Sequence, residues 1–372
     1  MKKIAILLSI VILVLSLFAF TSCNSLKDIN DSDENHSTET EINEEAATDT
    51  TYVPFDYTDD SPAAFTVDGM PVSVNLYKYY LSVIKLSLSA GDPSALENSF
   101  WDGLYPNSDK TYKESAINSA DEIAVVISNV NKTLANYQII ESPADQENRY
   151  MAMEYVIGLK GGNQMYSEYM KKAGITELDL VAPYILSDKF AAIMEHLYSA
   201  NGPDPITDEE VNESLKNDYA RIKHILVLLP TDESSTIEEN EARANVLLDR
   251  VNGGEDFESL VAEFSEDPGS ATNPDGYYFT ASGNYVQEFM DAGLSMEIGE
   301  VRMVLSSYGW HIMKKYDPTE KTDNFEEIFT QVKSSISQTR FSYVIDAWIS
   351  NAVIGNTAKK DAIDFYAVEL DS

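Results

Sequence analysis

The sequence predicts an α+β protein in which a compact mixed unit of roughly a hundred residues interrupts mainly helical segments. Three observations carry this. Apolar residues recur at spacings of three and four through most of 61–215 and again over 324–354. From Arg221 the pattern changes to strand, helices, strand, helix, strand, strand. A hydrophobic fraction of 44% over 372 residues supplies a sizeable core, enough for two domains or one with extensions.

Composition excludes several classes of function. With 62 acidic against 26 basic residues the formal charge is −36, which argues against a nucleic-acid backbone as partner. One cysteine rules out an internal disulfide framework, a Cys-rich zinc site and a cysteine-ligated cluster. The histidines are His36, His196, His224 and His311, too few and too scattered for a dedicated His-based metal site. No metal and no cofactor is expected.

Lys2 and Lys3 precede an apolar run from Ile4 to Phe20, broken only by Ser9 and Ser16, which reads as the charged and apolar regions of a secretory signal. The run ends Phe20-Thr21-Ser22-Cys23, which resembles a bacterial lipobox with Phe20 in place of the usual Leu-type residue. On that reading residues 1–22 are a lipoprotein signal peptide and Cys23 carries the lipid. A transmembrane anchor is the other reading, because the run approaches the ~20 residues needed to span. Between Asp28 and Asp60 lie twelve acidic residues and no Lys or Arg, so 23–60 reads as an acidic disordered spacer. His36 falls inside it and is not expected to act in a site.

Ala64–Val72 reads as a short strand pair about the Asp68-Gly69 turn. It leads into a helix with Tyr77, Tyr80, Leu81, Ile84 and Leu88 on one face. Helical periodicity returns over 112–140, 145–173, 176–200 and 207–219, with Thr207 as a cap before three acids. In the mixed unit, Ile222–Leu229 is a strand by β-branched content, and helices follow over 238–251 and from Phe257. Tyr277–Phe279 reads as a strand, Val286–Ala292 as a short helix, and 301–305 with 310–316 as a closing hairpin. The alternation over 364–370 predicts a last strand, placed beside Phe65 so that both chain ends build one domain. The many tyrosines of 77–169 suit either amphipathic packing or an adaptable cleft for unfolded polypeptide.

Six motifs in order then point to a family. They are Lys223-His224-Ile225-Leu226-Val227, Gly254-Glu255-Asp256-Phe257, Ala262 to Ser270, Val286-Gln287-Glu288-Phe289, Ile298-Gly299-Glu300-Val301 and Tyr308-Gly309-Trp310-His311-Ile312. The stretch 221–317 resembles the parvulin family of peptidyl-prolyl isomerases. The anchor, helical flanks and central module together resemble the PrsA-like foldase lipoproteins. The resemblance implies a parvulin-like domain at 220–317, a small antiparallel sheet with surrounding helices. It is inserted between a helical chaperone-like segment at 61–219 and a helix and strand at 318–372 that complete that domain.

It also implies the site. His224 and His311 match the family's back-to-back histidines, Asp267 its Cys/Asp position and Ser306 a floor hydroxyl, with Tyr308 close by. Phe289 matches the aromatic wall of the proline slot, Tyr285 stands where the family has Met, and Tyr277 roughly where it has Leu. The bulkier tyrosines imply a narrower slot. Read without the resemblance, His224 and His311 also suit a structural pair, Asp267 before Pro268 a turn, and Phe289 ordinary core.

The implied function is a membrane-anchored extracytoplasmic foldase that isomerises X–Pro bonds in secreted, unfolded polypeptides. A holdase chaperone with an inactive module is the competing reading. A solute-binding lipoprotein is a third, opposed by the long helices. A homodimer through the helical segment is left open. No basic patch favours phosphorylated substrates.

Overall fold

The computed structural model describes residues 59–230 and 236–369. The signal-like run, Cys23, His36 and nearly all of the acidic spacer lie outside the described residues. The chain divides into two compact units. One holds the described residues up to Leu197 and those from Arg340 onward, and the other is Tyr198–Thr339. No helix among the described residues is long and apolar enough to cross a membrane.

The first unit opens with the antiparallel pair β1 (Ala63–Val67) and β2 (Met70–Ser73). Its Asp68-Gly69 corner has φ of 49° and 85°, the left-handed geometry that a two-residue hairpin turn requires. Ser73 then caps α1 (Val74–Ser89) by accepting from the Leu76 N–H, and Tyr77, Tyr80, Leu81 and Ile84 are buried as the spacing predicts. After α2 (Asn98–Asp102), α3 (Tyr112–Tyr137) begins in a Thr111–Glu114 capping box.

The two long helices expected next are each split. The stretch 145–173 is α4 (Pro143–Leu159) and α5 (Asn163–Ala173), parted by Gly161 and Gly162 at φ of 85° and 98°. The stretch 176–200 is α6 (Glu177–Val181) and α7 (Leu186–Tyr198). Pro183 lies in the turn between them, where its missing N–H and its ring prevent a continuous helix.

In the second unit α8 (Asp208–Asp218) leads to a four-stranded antiparallel sheet. β3 (Ala220–Leu228) is followed by α9 (Ile237–Asn252) and α10 (Phe257–Phe264). Then come β4 (Tyr277–Phe279), α11 (Gln287–Ser295), β5 (Val301–Leu305) and β6 (Gly309–Tyr316), in sheet order β4-β3-β6-β5. Strand side chains alternate between faces. Ala220, Ile222 and Met313 therefore pack with Phe279, Phe289, Met290 and Met296 on one side. Ile225, Val227 and Ile312 pack with Ala244, Leu247, Phe257 and Leu260 on the other. A sheet covered on both faces explains the uninterrupted apolar run Ile225–Leu228 that follows His224 in β3.

α12 (Phe325–Asn351) occupies most of the expected 324–354 helix. Over the described residues 364–369 the predicted strand is not formed. β7 (Ile354–Gly355) pairs with β1 instead, setting Thr66 opposite Gly355 and Val67 opposite Ile354, and α13 (Ala358–Asp361) follows. Phe365–Ala367 is a 3₁₀ turn capped by the Asp364 side chain on the Tyr366 N–H. The buried ammonium of Lys85 holds that turn, donating to the Phe365 and Val368 carbonyls at 3.2 and 2.5 Å. Both chain ends thus share one sheet, through different residues from those the alternation suggested.

Candidate functional site

The site follows from strand register. β3 and β6 pair so that His224 faces Met313 and Leu226 faces His311. Both histidines therefore lie on the same sheet face, as diagonal neighbours. Their ring centroids are 5.0 Å apart at 73°. α11 lays Phe289 over both, 5.1 Å from His224 and 5.3 Å from His311. β4 pairs Tyr277 with Ile222, which brings its ring diagonally onto His224, stacked at 5.5 Å and 16°.

The polar side is built by the loop after α10. Ser265 Oγ accepts from the Leu226 N–H at 3.1 Å and donates to the His224 carbonyl at 3.3 Å. The Glu266 N–H donates to the Leu226 carbonyl at 2.9 Å, so the loop is fastened to β3 beside the histidine. Asp267 comes next and caps the 3₁₀ turn Pro268–Ala271. Its Oδ1 accepts from the Gly269 N–H at 3.1 Å and its Oδ2 from the Tyr277 hydroxyl at 2.5 Å. That Oδ2 also lies 3.4 Å from His224 Nε2, without forming a hydrogen bond. On the other histidine, Ser306 Oγ is 2.7 Å from Nε2 and accepts from the Tyr308 N–H at 3.1 Å. His224 Nδ1 and Nε2 and His311 Nδ1 are buried and have no hydrogen-bond partner among the described residues.

Burial pushes both imidazoles down to about 4. For His224 the neighbouring His311 adds to the effect and Asp267 opposes it; for His311 both Asp267 and Glu288 oppose it. Near neutral pH the pair is therefore uncharged, and each ring carries one N–H donor and one lone-pair acceptor. The Tyr277 hydroxyl is pushed upward by burial and by Asp267, so it stays a donor. Unpaired polar atoms in a buried aromatic setting cost on the order of 1–3 kcal/mol each.

Seven of the expected residues come together: His224, His311, Asp267, Ser306, Phe289, Tyr277 and Tyr285. Tyr308 contributes its backbone N–H, while its side chain is 61% exposed. Two participants were missed. Phe279 packs 5.5 Å from Phe289, and period two from Tyr277 along β4 was the available signal. Gly269 leaves room for the Tyr277 hydroxyl, which a Cβ there would meet at 2.3 Å; no sequence signal marks that. Phe289 is 3% exposed beneath this aromatic cluster, and Tyr285, at 41%, is its outermost ring. Among the described residues no group of three or more His, Cys, Asp or Glu side chains could hold a metal ion.

Comparison with known proteins matches this unit. The family model described as "PPIC-type PPIASE domain" matches residues 209–319. The chain is 30% identical over 188 residues to the Foldase protein PrsA of Halalkalibacterium halodurans, covering 50% of this chain and 52% of that protein. It is 33% identical over 130 residues to the Chaperone SurA of Alkalilimnicola ehrlichii, covering 35% of this chain and 30% of that protein. The chain thus spans about half, or less, of the length of these curated relatives. The crystal structure of the peptidylprolyl isomerase PrsA from Bacillus cereus aligns with 64% of this chain and 85% of its own, at 21% identity and a TM-score of 0.30.

Proposed function

We propose that the PPIC-type PPIase domain of residues 209–319 isomerises X–Pro bonds in unfolded polypeptides on the extracytoplasmic side of a membrane, and that the rest of the chain assists their folding. The observation that carries this is the His224–His311 pair, buried under Phe289 with three ring nitrogens that have no hydrogen-bond partner among the described residues.

The amide barrier of ~18–20 kcal/mol comes from resonance, and no covalent bond has to break. Twisting the bond leaves a pyramidal nitrogen with a lone pair and a more ketone-like carbonyl. A site that binds this twisted form better than either planar form accelerates the interconversion. Phe289, Tyr285 and Tyr277 supply the apolar surface for the proline ring. The histidine pair, Ser306 and the Asp267–Tyr277 couple supply polar groups beneath it, in surroundings where hydrogen bonds are strengthened. Neutral imidazoles suit this role, because a buried charge would have to be desolvated again in every cycle.

The lipid on Cys23 and the acidic spacer would tether the domain, and secreted chains would be its clients. The names of the similar foldase and chaperone proteins support that direction. A second reading is favoured by one observation, the near-complete cover over Phe289. On that reading the slot is shut and the protein is a holdase. The test is cis-to-trans isomerisation of a panel of X–Pro peptides by the whole chain, with His224→Ala and Phe289→Leu beside it. Acceleration lost in both variants supports the isomerase. Suppressed aggregation of an unfolded client with no acceleration for any X leaves the holdase.

A further inference from the structure

The residue at 277 does more than line a slot. Resting on the isomerase reading of the same site, we propose that Tyr277 is a positioning residue that occupies the Asp267 carboxylate and so keeps it from pairing with His224. Three geometric facts converge on this. The Tyr277 hydroxyl donates to Asp267 Oδ2 at 2.5 Å, and the same oxygen stands 3.4 Å from His224 Nε2 without a hydrogen bond. The Tyr277 ring stacks on the His224 ring at 16°, closing that face. Gly269 opens the space for the hydroxyl, since a Cβ there would lie 2.3 Å from it.

The groups facing His224 can be named from each element around it. Asp267 comes from the loop after α10, Tyr277 from β4 and His311 from β6. From α11 the contact is the uncharged Phe289, and the nearby Glu288 acts on His311. Lys223, next along β3, is engaged with Glu258 at 2.7 Å. Asp267 is therefore the one carboxylate in reach of His224 among the described residues. Two hydrogen bonds, from the Gly269 N–H and the Tyr277 hydroxyl, already use it. Freed of the hydroxyl, its Oδ2 needs only a small rotation to accept from a protonated imidazole. A charged His224 would then sit beneath the proline ring, where a neutral one serves the twisted amide.

The experiment is an NMR titration of the His224 and His311 ring protons in the whole chain. It compares wild type, Tyr277→Phe, Gly269→Ala, and each of these combined with Asp267→Asn. Removing or displacing the hydroxyl should raise the His224 midpoint by one unit or more, a tenfold change in its acid constant. Asp267→Asn should cancel that rise. If either single variant fails to fold, the other carries the test, because one removes the hydroxyl and the other displaces it. A folded variant whose His224 midpoint stays at the wild-type value overturns the proposal, as does a rise that persists with Asn at 267. The readout requires no turnover. A rise of the stated kind in a protein with no isomerase activity upholds the positioning role and discards the isomerase reading alone. In an active enzyme the acid limb of kcat/KM should move to higher pH with the same variants.

Discussion

Tyr285 lies over Phe289 with ring centroids 6.2 Å apart at 37°, and the buried ring keeps only 3% of its surface exposed. On the proposed isomerase reading, Tyr285, the outermost ring of the cluster, is the one a proline ring would displace to reach Phe289. Tyr277 and Phe279 flank the same ring at 6.4 and 5.5 Å, but both belong to β4 and are held by strand pairing. Tyr285 is in the loop before α11.

Tyr285→Met should therefore uncover the slot. KM for an X–Pro peptide is expected to fall about three- to tenfold, which corresponds to roughly 1 kcal/mol of displacement no longer required. Steady-state isomerisation checks this. An unchanged or higher KM would show that Tyr285 assists binding and does not obstruct it.

Acid should weaken the second unit. His224 and His311 titrate near 4 when folded, against 6.5 for a free imidazole, because burial penalises the charged form. Between those values the unfolded chain holds more protons, so stability is full above about 6.5 and declines as pH falls towards 4. Each histidine can contribute on the order of 3 kcal/mol to that loss, and their mutual repulsion makes the two contributions non-additive. Urea midpoints from pH 4 to 7, followed through amide signals of β3 and β6, measure it. A flat profile there contradicts burial of the pair as neutral rings.

Ser306→Ala removes the partner of His311 Nε2 and the acceptor of the Tyr308 N–H together. The expected cost is about 1–3 kcal/mol of stability, with a several-fold drop in kcat. Ser306→Thr keeps the oxygen and should recover most of both. A kcat indifferent to either change would place Ser306 outside the chemistry.

Lys85→Met should loosen the C-terminal turn of the first unit. The substitution leaves the Phe365 and Val368 carbonyls without their donor and removes the cation near the Trp101 and Phe365 rings, at 5.2 and 4.7 Å. A loss of about 1–3 kcal/mol is expected, seen first as faster amide exchange around Val368. Protection equal to wild type would show that packing of Phe365 suffices by itself.

Much of the second unit was legible from its residues. β3 declared itself by β-branched content and the hairpin of β5 and β6 by a Gly-containing turn, because strand patterns of period two are local. His224 and His311 stood out as histidines at matching positions on two strands, and Asp267 before Pro268, read both as a site residue and as a turn residue, caps the 3₁₀ turn. The helical segments were legible as helical but not in their breaks at 160–162 and 182–185, where the pair Gly161-Gly162 and Pro183 override the apolar periodicity. The last strand was misread for a related reason. Alternation over 364–370 describes side-chain polarity, whereas Asp364 capping and the Lys85 ammonium, 280 positions from its Phe365 acceptor, fold that backbone into a turn.

What the sequence alone determined was the order of elements in the second unit and the residue types at the site, since both depend on neighbours along the chain. What only the tertiary structure decided was which polar atoms meet. The 3.4 Å between His224 and Asp267 invites an ion pair, yet Asp267 is bound to Tyr277, because Gly269 leaves a space for the hydroxyl that no local pattern records. Hydrogen-bond choice among buried groups is settled by a few tenths of an ångström across elements far apart in the chain. Burial across those elements, which composition and spacing do not record, keeps the histidines uncharged near neutral pH.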